Sequence, residues 1–133
     1  MIGLDTNVLV RYLVQDDPAQ SARANALIDS LTAEAPGFVA LVSVVELLGI
    51  LQSCYGTSRE TQVQVLERLL DSRELRVEQA EVVREALSRF RIGRADFADC
   101  LIECCAAAAG CTTVVTFDPL AARDAGMRAL DAP

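Results

Sequence analysis

The stretch RADFADCLIECC, Arg94 to Cys105, sets Asp96 and Asp99 three residues apart at the start of a predicted helix. Three further acids lie where apolar runs end or are interrupted: Asp5 closes MIGLD, Glu46 falls inside ALVSVVELLGIL, and Asp118 follows TVVTF. Carboxylates are the only first-rank catalytic groups this composition leaves. The chain has no His, which excludes Ser-His-Asp and Cys-His catalysis, a His-ligated zinc and a His general base. All twelve basic residues are Arg, and the absence of Lys excludes a P-loop, a Schiff-base enzyme and a lysine-dependent receiver domain.

Each acid also has a reading that involves no chemistry. Asp5, Asp96 and Asp118 (before Pro119) can cap the helices that follow them, and Glu46 is the fourth residue of SVVE, a capping-box match. A cap explains one carboxylate at one helix terminus, but not several meeting at one edge of a sheet. Two carboxylates about 5 Å apart repel by roughly 3 kcal/mol at an effective dielectric of about 20. Several together persist as anions only with a cation among them. Hard oxygen donors without His or thiolate select Mg²⁺ or Mn²⁺ over zinc, and Mg²⁺ keeps waters that a substrate phosphate displaces. That chemistry suits phosphodiester hydrolysis. The five cysteines do not form a rival zinc site. Cys100, Cys104, Cys105 and Cys111 lack a C-x-x-C pair, and Cys100 and Cys104 at i, i+4 on an alanine-rich run read as small buried helix residues. Their odd number suits a reducing compartment.

The elements that must position these acids alternate along the chain. MIGLD reads as a strand that ends at Asp5, and TNVLVRYLV as the helix after it; Asp17-Pro18 starts a helix over about 18–32. GFVALV (37–42) reads as the second strand, ending in Ser43, which caps a helix over VVELLGILQSCY and puts Glu46 in its first turn. Thr57 to Glu60 is a capping-box start for a helix with an apolar stripe of Val63, Leu66, Leu69 and Leu70. LRVE (75–78) is a brief strand and QAEVVREALSRF an amphipathic helix. The Asp96–Asp99 helix stops at Gly110, TVVTF (113–117) reads as a strong buried strand, Pro119 starts a short helix, and MRAL closes the sheet. The predicted fold class is therefore α/β, with a central, mainly parallel sheet of about five short strands flanked by helices in a single domain over 1–133. Sites in such sheets lie beyond the carboxyl ends of the strands, where all these acids fall if the sheet is parallel. The apolar settings of Glu46 and Asp99 predict that both are at least partly buried.

The formal net charge of −7 and pI of about 4.5 argue against general electrostatic attraction to nucleic acid, while leaving room for a local basic groove. The absence of a long apolar stretch or a basic leader predicts a soluble, cytoplasmic protein with no membrane partner.

In order and spacing, MIGLDTNVLVRYL, SVVELLGIL, ADFADCLIECCAAAAGC and TVVTFDPLA resemble the four acidic motifs of PIN-domain ribonucleases, most closely the VapC-type toxins of bacterial toxin–antitoxin modules. The resemblance runs from Met1 to about Leu130. It implies a Mg²⁺- or Mn²⁺-dependent endoribonuclease whose four acids are Asp5, Glu46, Asp99 and Asp118. Asp5 and Asp99 would hold the metal, Asp118 would ligate it or a second ion, and Glu46 would hold or deprotonate a metal-bound water. Asp99 is preferred to Asp96 because the third acid of the family directly precedes a small residue and an aliphatic pair, as in DCLI; Asp96 is then an accessory acid. Thr6, Asn7 and Thr116 match polar family positions near the metal, where they would orient the acids. Without Lys, contact with RNA would fall to Arg94, Arg91 and Arg11, the first two from a basic run over Arg84, Arg89, Arg91 and Arg94; solvated helix faces are the other reading of each. The implied partners are an RNA substrate, a cognate antitoxin suited by basic charge to this acidic chain, and a second copy in a homodimer. Two other classes stand beside this one: a non-catalytic PIN-like module that binds RNA or protein, and another Mg²⁺- or Mn²⁺-dependent phosphoesterase.

Overall fold

The computed structural model describes residues 1–130, as two compact units, Met1–Glu78 and a second beginning at Gln79. In the first, three short parallel strands pair in chain order: β1 (Ile2–Gly3), β2 (Gly37–Val39) and β3 (Leu75–Val77). Helices α1 (Thr6–Val14) and α2 (Pro18–Asp29) connect β1 to β2, and α3 (Leu41–Tyr55) and α4 (Arg59–Asp71) connect β2 to β3. Parallel neighbours require such helical crossovers. Gly37 opens β2 because a Cβ there would lie 2.8 Å from Leu4 Cδ1 and 2.9 Å from Leu31 Cδ1, closer than carbon atoms pack.

β1 is shorter than the predicted MIGLD. The Leu4 N–H still bonds the Phe38 carbonyl at 2.9 Å, but Asp5 leaves the ladder to become the N-cap of α1. The larger departure is at 37–42, where the strand stops at Val39 and α3 begins at Leu41. Ser43 therefore lies inside the helix, and SVVE is not a capping box. Burial at Val44, Leu47, Leu48 and Leu51 follows the 3.6-residue period, which outweighs the modest helix penalty of the valines. The N-cap residue, Ala40, has no side chain to cap with. Instead Glu78, directly after β3, accepts the Leu41 N–H through Oε1 at 2.8 Å. The start of α2 matches expectation, Asp17 accepting from the Gln20 N–H at 3.1 Å, whereas α4 is capped one residue later than the Thr57–Glu60 box implies, Ser58 accepting from the Thr61 N–H at 3.2 Å. Leu9, Val39, Val44, Leu47 and Leu66 are almost wholly withdrawn from solvent and form the centre of this unit's core.

The second unit contains α5 (Ala80–Ile92), α6 (Phe97–Ala108), β4 (Val115–Thr116), α7 (Pro119–Asp124) and β5 (Arg128–Ala129). α5 packs on α6, and Phe90 meets Phe97 edge to face with centroids 5.7 Å apart. Val83, Ala86 and Leu87 are buried on α5, as are Cys100, Leu101 and Cys104 on α6, so these cysteines serve as small core residues. All five cysteines are free thiols. Gly110, in the left-handed region at φ +93°, ends the α6 segment. β4 and β5 pair in parallel, Val115 with Arg128 and Thr116 with Ala129. The predicted strong buried strand over 113–117 is only this two-residue ladder, with Val115 partly open and Phe117 82% exposed. Phe117 leaves the ladder because the chain is already turning: the Thr116 hydroxyl accepts the Asp118 N–H at 3.0 Å and leads into α7. Among the described residues the strands number five, as expected, but are hydrogen-bonded as a three-stranded and a two-stranded parallel sheet. Among the described residues, no helix is long and apolar enough to cross a membrane.

Candidate active site

In the first unit, Asp5 is exposed at the junction of β1 and α1. Its Oδ1 accepts the Thr6 N–H at 2.8 Å, and its extended backbone (φ −73°, ψ 154°) is that of an N-cap. Thr6 is buried, and it is the backbone N–H of Thr6 that fixes this carboxylate. Asn7 is exposed in the first turn of α1. β1 and β2 are parallel neighbours, so the loops that leave them open at the same edge of the sheet. Glu46 lies beyond the first turn of α3, contrary to expectation, because the helix starts earlier than the sequence suggested. It is also exposed: the buried face of α3 uses the positions on either side of it, Val44, Leu47 and Leu48.

Arg11 is part of a polar network in this unit. Its Nη1 donates to Asp16 Oδ1 at 2.9 Å and to the Tyr55 hydroxyl at 3.4 Å, and its Nε donates to Gln20 Oε1 at 2.8 Å. The Tyr55 hydroxyl in turn donates to Asp16 Oδ2 at 2.7 Å. This bond, followed by the charge of Arg11, holds the Asp16 carboxyl below the ordinary aspartate range.

The second unit brings three of the predicted acids within electrostatic reach of one another. Burial first, and then the charges of Asp96 and Asp118, push the Asp99 carboxyl above its ordinary range. Asp99 is half-buried in the first turn of α6, as expected, while Asp96 and Asp118 are exposed. Asp96 occupies the N-cap position of α6, but its side chain makes no capping hydrogen bond, so its effect here is charge. Asp118 caps α7, its Oδ1 accepting the Leu120 N–H at 2.9 Å. Thr116 supports it through the backbone bond already described. Arg91 in the last turn of α5 and Arg94 in the α5–α6 connection are exposed, and Arg94 adds to the hydrogen bond from Arg123 in lowering the pKa of Asp124. Arg89 forms an i, i+4 ion pair with Glu85 at 3.6 Å.

Two further acids, one in each unit, were not singled out by the sequence reading. Glu78 caps α3 from the end of β3, a contact 37 residues distant in sequence that no local motif announces. Glu103 lies one turn along α6 from Asp99 on the same face, and its Oε1 is buried with no hydrogen-bond partner among the described residues. The Asp96, Asp99, Glu103 spacing of three and four was its available signal.

The donors are carboxylate oxygens throughout, which fits a hard divalent ion, and a shielded acceptor without a donor, such as Glu103 Oε1, is of the kind a cation satisfies. Among the described residues, no three His, Cys, Asp or Glu side chains stand together as a ready-made metal cage. Mg²⁺ is ordinarily bound by one or two carboxylates with waters and substrate phosphates, so it does not require such a cage.

Parallel strands joined through helices, with acids at strand-to-helix junctions, define an α/β protein of the kind that places its chemistry in the loops after its strands. The PIN domain family model matches residues 2–125, and the chain belongs to that family. The PIN fold is generally a nuclease fold, and its members typically bind divalent metals. No curated protein matches the chain.

Proposed function

We propose that this protein is a Mg²⁺- or Mn²⁺-dependent endoribonuclease with Asp5, Glu46, Asp99 and Asp118 as its catalytic acids. The observation that carries this reading is the placement of Asp99, a half-buried carboxyl in the first turn of α6 with Asp96 at the N-cap of the same helix; burial and the charges of Asp96 and Asp118 raise its pKa. Membership of a family whose fold is generally a nuclease fold supports it. Asp5, Asp99 and Asp118 would hold the ion, Glu46 would orient or deprotonate the attacking water, and Asp96 would add charge. A bound divalent ion supplies neutralisation of phosphate charge and a water acidic enough to deprotonate near neutral pH. The chain's own contribution is to fix the acids: Asp5 and Asp118 are each locked by a cap, and the Thr116 hydroxyl holds the Asp118 backbone. Arg94, Arg91 and Arg11 would meet RNA phosphates. The biological role consistent with the resemblance is the toxin of a type II toxin–antitoxin pair in the cytoplasm, acting as a homodimer and neutralised by an antitoxin. The net charge of −7 suits a basic partner segment.

The test is cleavage of RNA by purified protein with Mn²⁺ or Mg²⁺, with EDTA as control. Asp99→Asn should reduce the rate by about 10²–10³-fold, the scale of losing an electrostatic group at the reacting centre. Asp96→Asn should cost no more than about 10–100-fold, as for a supporting group. The reverse order would mean that Asp96 is the ligand, and full activity of Asp5→Asn would refute the assignment of the acids.

A further inference from the structure

α1 and α2 line an open cavity of about 400 Å³ beside the first turn of α1, a volume within the range of small-molecule sites, about 300–1,000 Å³. Its polar lining is Asn7, Arg11, Gln20 and Arg23, while Val8 and Leu27 supply apolar wall. No acid lines it, in a chain of net charge −7.

The two arginines are in different states. Arg11 commits Nε and Nη1 to Gln20, Asp16 and Tyr55, which fixes the plane of the guanidinium and leaves the two N–H groups of Nη2 for an incoming acceptor. Arg23 is exposed and makes no hydrogen bond or ion pair with the described residues. A preset guanidinium and an uncommitted one on the same cavity are suited to an anion with several oxygens. The Asn7 and Gln20 amides add donors and acceptors of the kind that read the edge of a base, and the apolar wall suits its face. Asn7 is two residues from Asp5, so a ligand held here reaches the junction that carries the first proposed catalytic acid.

We propose that this cavity binds one nucleotide of single-stranded RNA flanking the bond that is cut, with its phosphate on Arg23 and Arg11 and its base between the Asn7 and Gln20 amides and the Val8–Leu27 wall. The choice of RNA as ligand rests on the nuclease reading above. The site makes the protein prefer substrates that extend past the cleaved bond, and it gives that preference a base-dependent component.

Binding of a short labelled single-stranded RNA, measured by fluorescence anisotropy in EDTA over a series of salt concentrations, separates this site from catalysis. Arg23→Ala should weaken binding about tenfold, the scale of losing a charge-assisted hydrogen bond. It should also lower the slope of log affinity against log salt by about 0.7, one phosphate contact on a single strand. Arg23→Lys should restore the slope but only part of the affinity, because an ammonium lacks the bidentate fork. Unchanged affinity and slope in Arg23→Ala would overturn the proposal. Loss of binding to labelled poly-glutamate with RNA binding intact would also overturn it and give the cavity to an acidic protein segment. Wild-type protein that binds RNA through Arg23 but cuts none with Mn²⁺ would refute the nuclease reading and leave this site standing. Cleavage with Arg23-independent binding would do the opposite.

Discussion

Asp118 carries two separable duties, and a pair of substitutions divides them. Its Oδ1 caps α7 through the Leu120 N–H at 2.9 Å, and its negative charge acts on Asp99. Asp118→Asn keeps a cap of equal rank and removes the charge, whereas Asp118→Ala removes both. Relief of the Asp99 repulsion is common to the two variants and amounts to a few tenths of a kcal/mol, about 0.2–0.5 by comparison with like-charge pairs on helices. It cancels in the difference between them, which leaves the cap alone at about 1 kcal/mol. For a chain of this size that difference should separate the two melting temperatures by about 3–5 °C. Melts are to be run in EDTA, so that metal binding does not contribute to apparent stability. RNA cleavage with Mn²⁺ should be lost in both variants, because activity follows the charge while stability follows the cap. An active Asp118→Asn protein would refute the catalytic reading of this carboxylate, and coincident melts would refute the energetic reading of the cap.

Tyr55→Phe removes the hydroxyl that is the main cause of the lowered Asp16 pKa, so the Asp16 carboxyl resonance in a ¹³C NMR titration should shift its midpoint upward, towards the ordinary range. The sign for stability follows from the same shift. A carboxyl depressed in the folded state stabilises the fold above its unfolded value, about 3.9, and that contribution is lost as pH falls through the lower folded value, so Tyr55→Phe should narrow the acid-dependent part of the stability profile. Leu47→Ala, at a position with no solvent exposure, should cost about 2–5 kcal/mol in urea denaturation, and Leu47→Met less than about 1.5.

The parts of the fold that were legible in the sequence are those whose signals are local. TNVLVRYLV is α1 residue for residue, and Asp17-Pro18, Ser58 and Asp118-Pro119 mark helix starts because a short polar side chain reaches a nearby N–H. The failures are where period had to be judged in short apolar runs. ALVSVV satisfies a strand or a helix equally over six residues, and only its continuation through Leu51 selects the helix. That misjudgement moved Glu46 out of the first turn and onto an exposed position. The cap supplied by Glu78 was beyond any local rule, since its partner is brought to it by the pairing of β2 with β3.

Of the acids, the sequence suggested a choice between capping and chemistry, and the geometry of the caps leaves room for both. An N-cap residue has extended backbone geometry, as does the last residue of a strand, so one carboxylate at a strand-to-helix junction meets both requirements. Capping occupies a single oxygen: Asp5 and Asp118 each accept through Oδ1, and each Oδ2 has no partner among the described residues. An ionised carboxylate offers about four lone-pair positions, which is enough for a backbone N–H and a cation together. In the proposed site the cap would then act as a positioning device, holding the side chain in one rotamer at the mouth of the loop and reducing the entropy lost on binding an ion. Asp96 is the informative contrast. It stands at an N-cap without making the bond, and what it contributes to Asp99 is repulsion that a cation would relieve. The two aspartates that a three-residue spacing made look equivalent are thus a ligand candidate and its electrostatic neighbour.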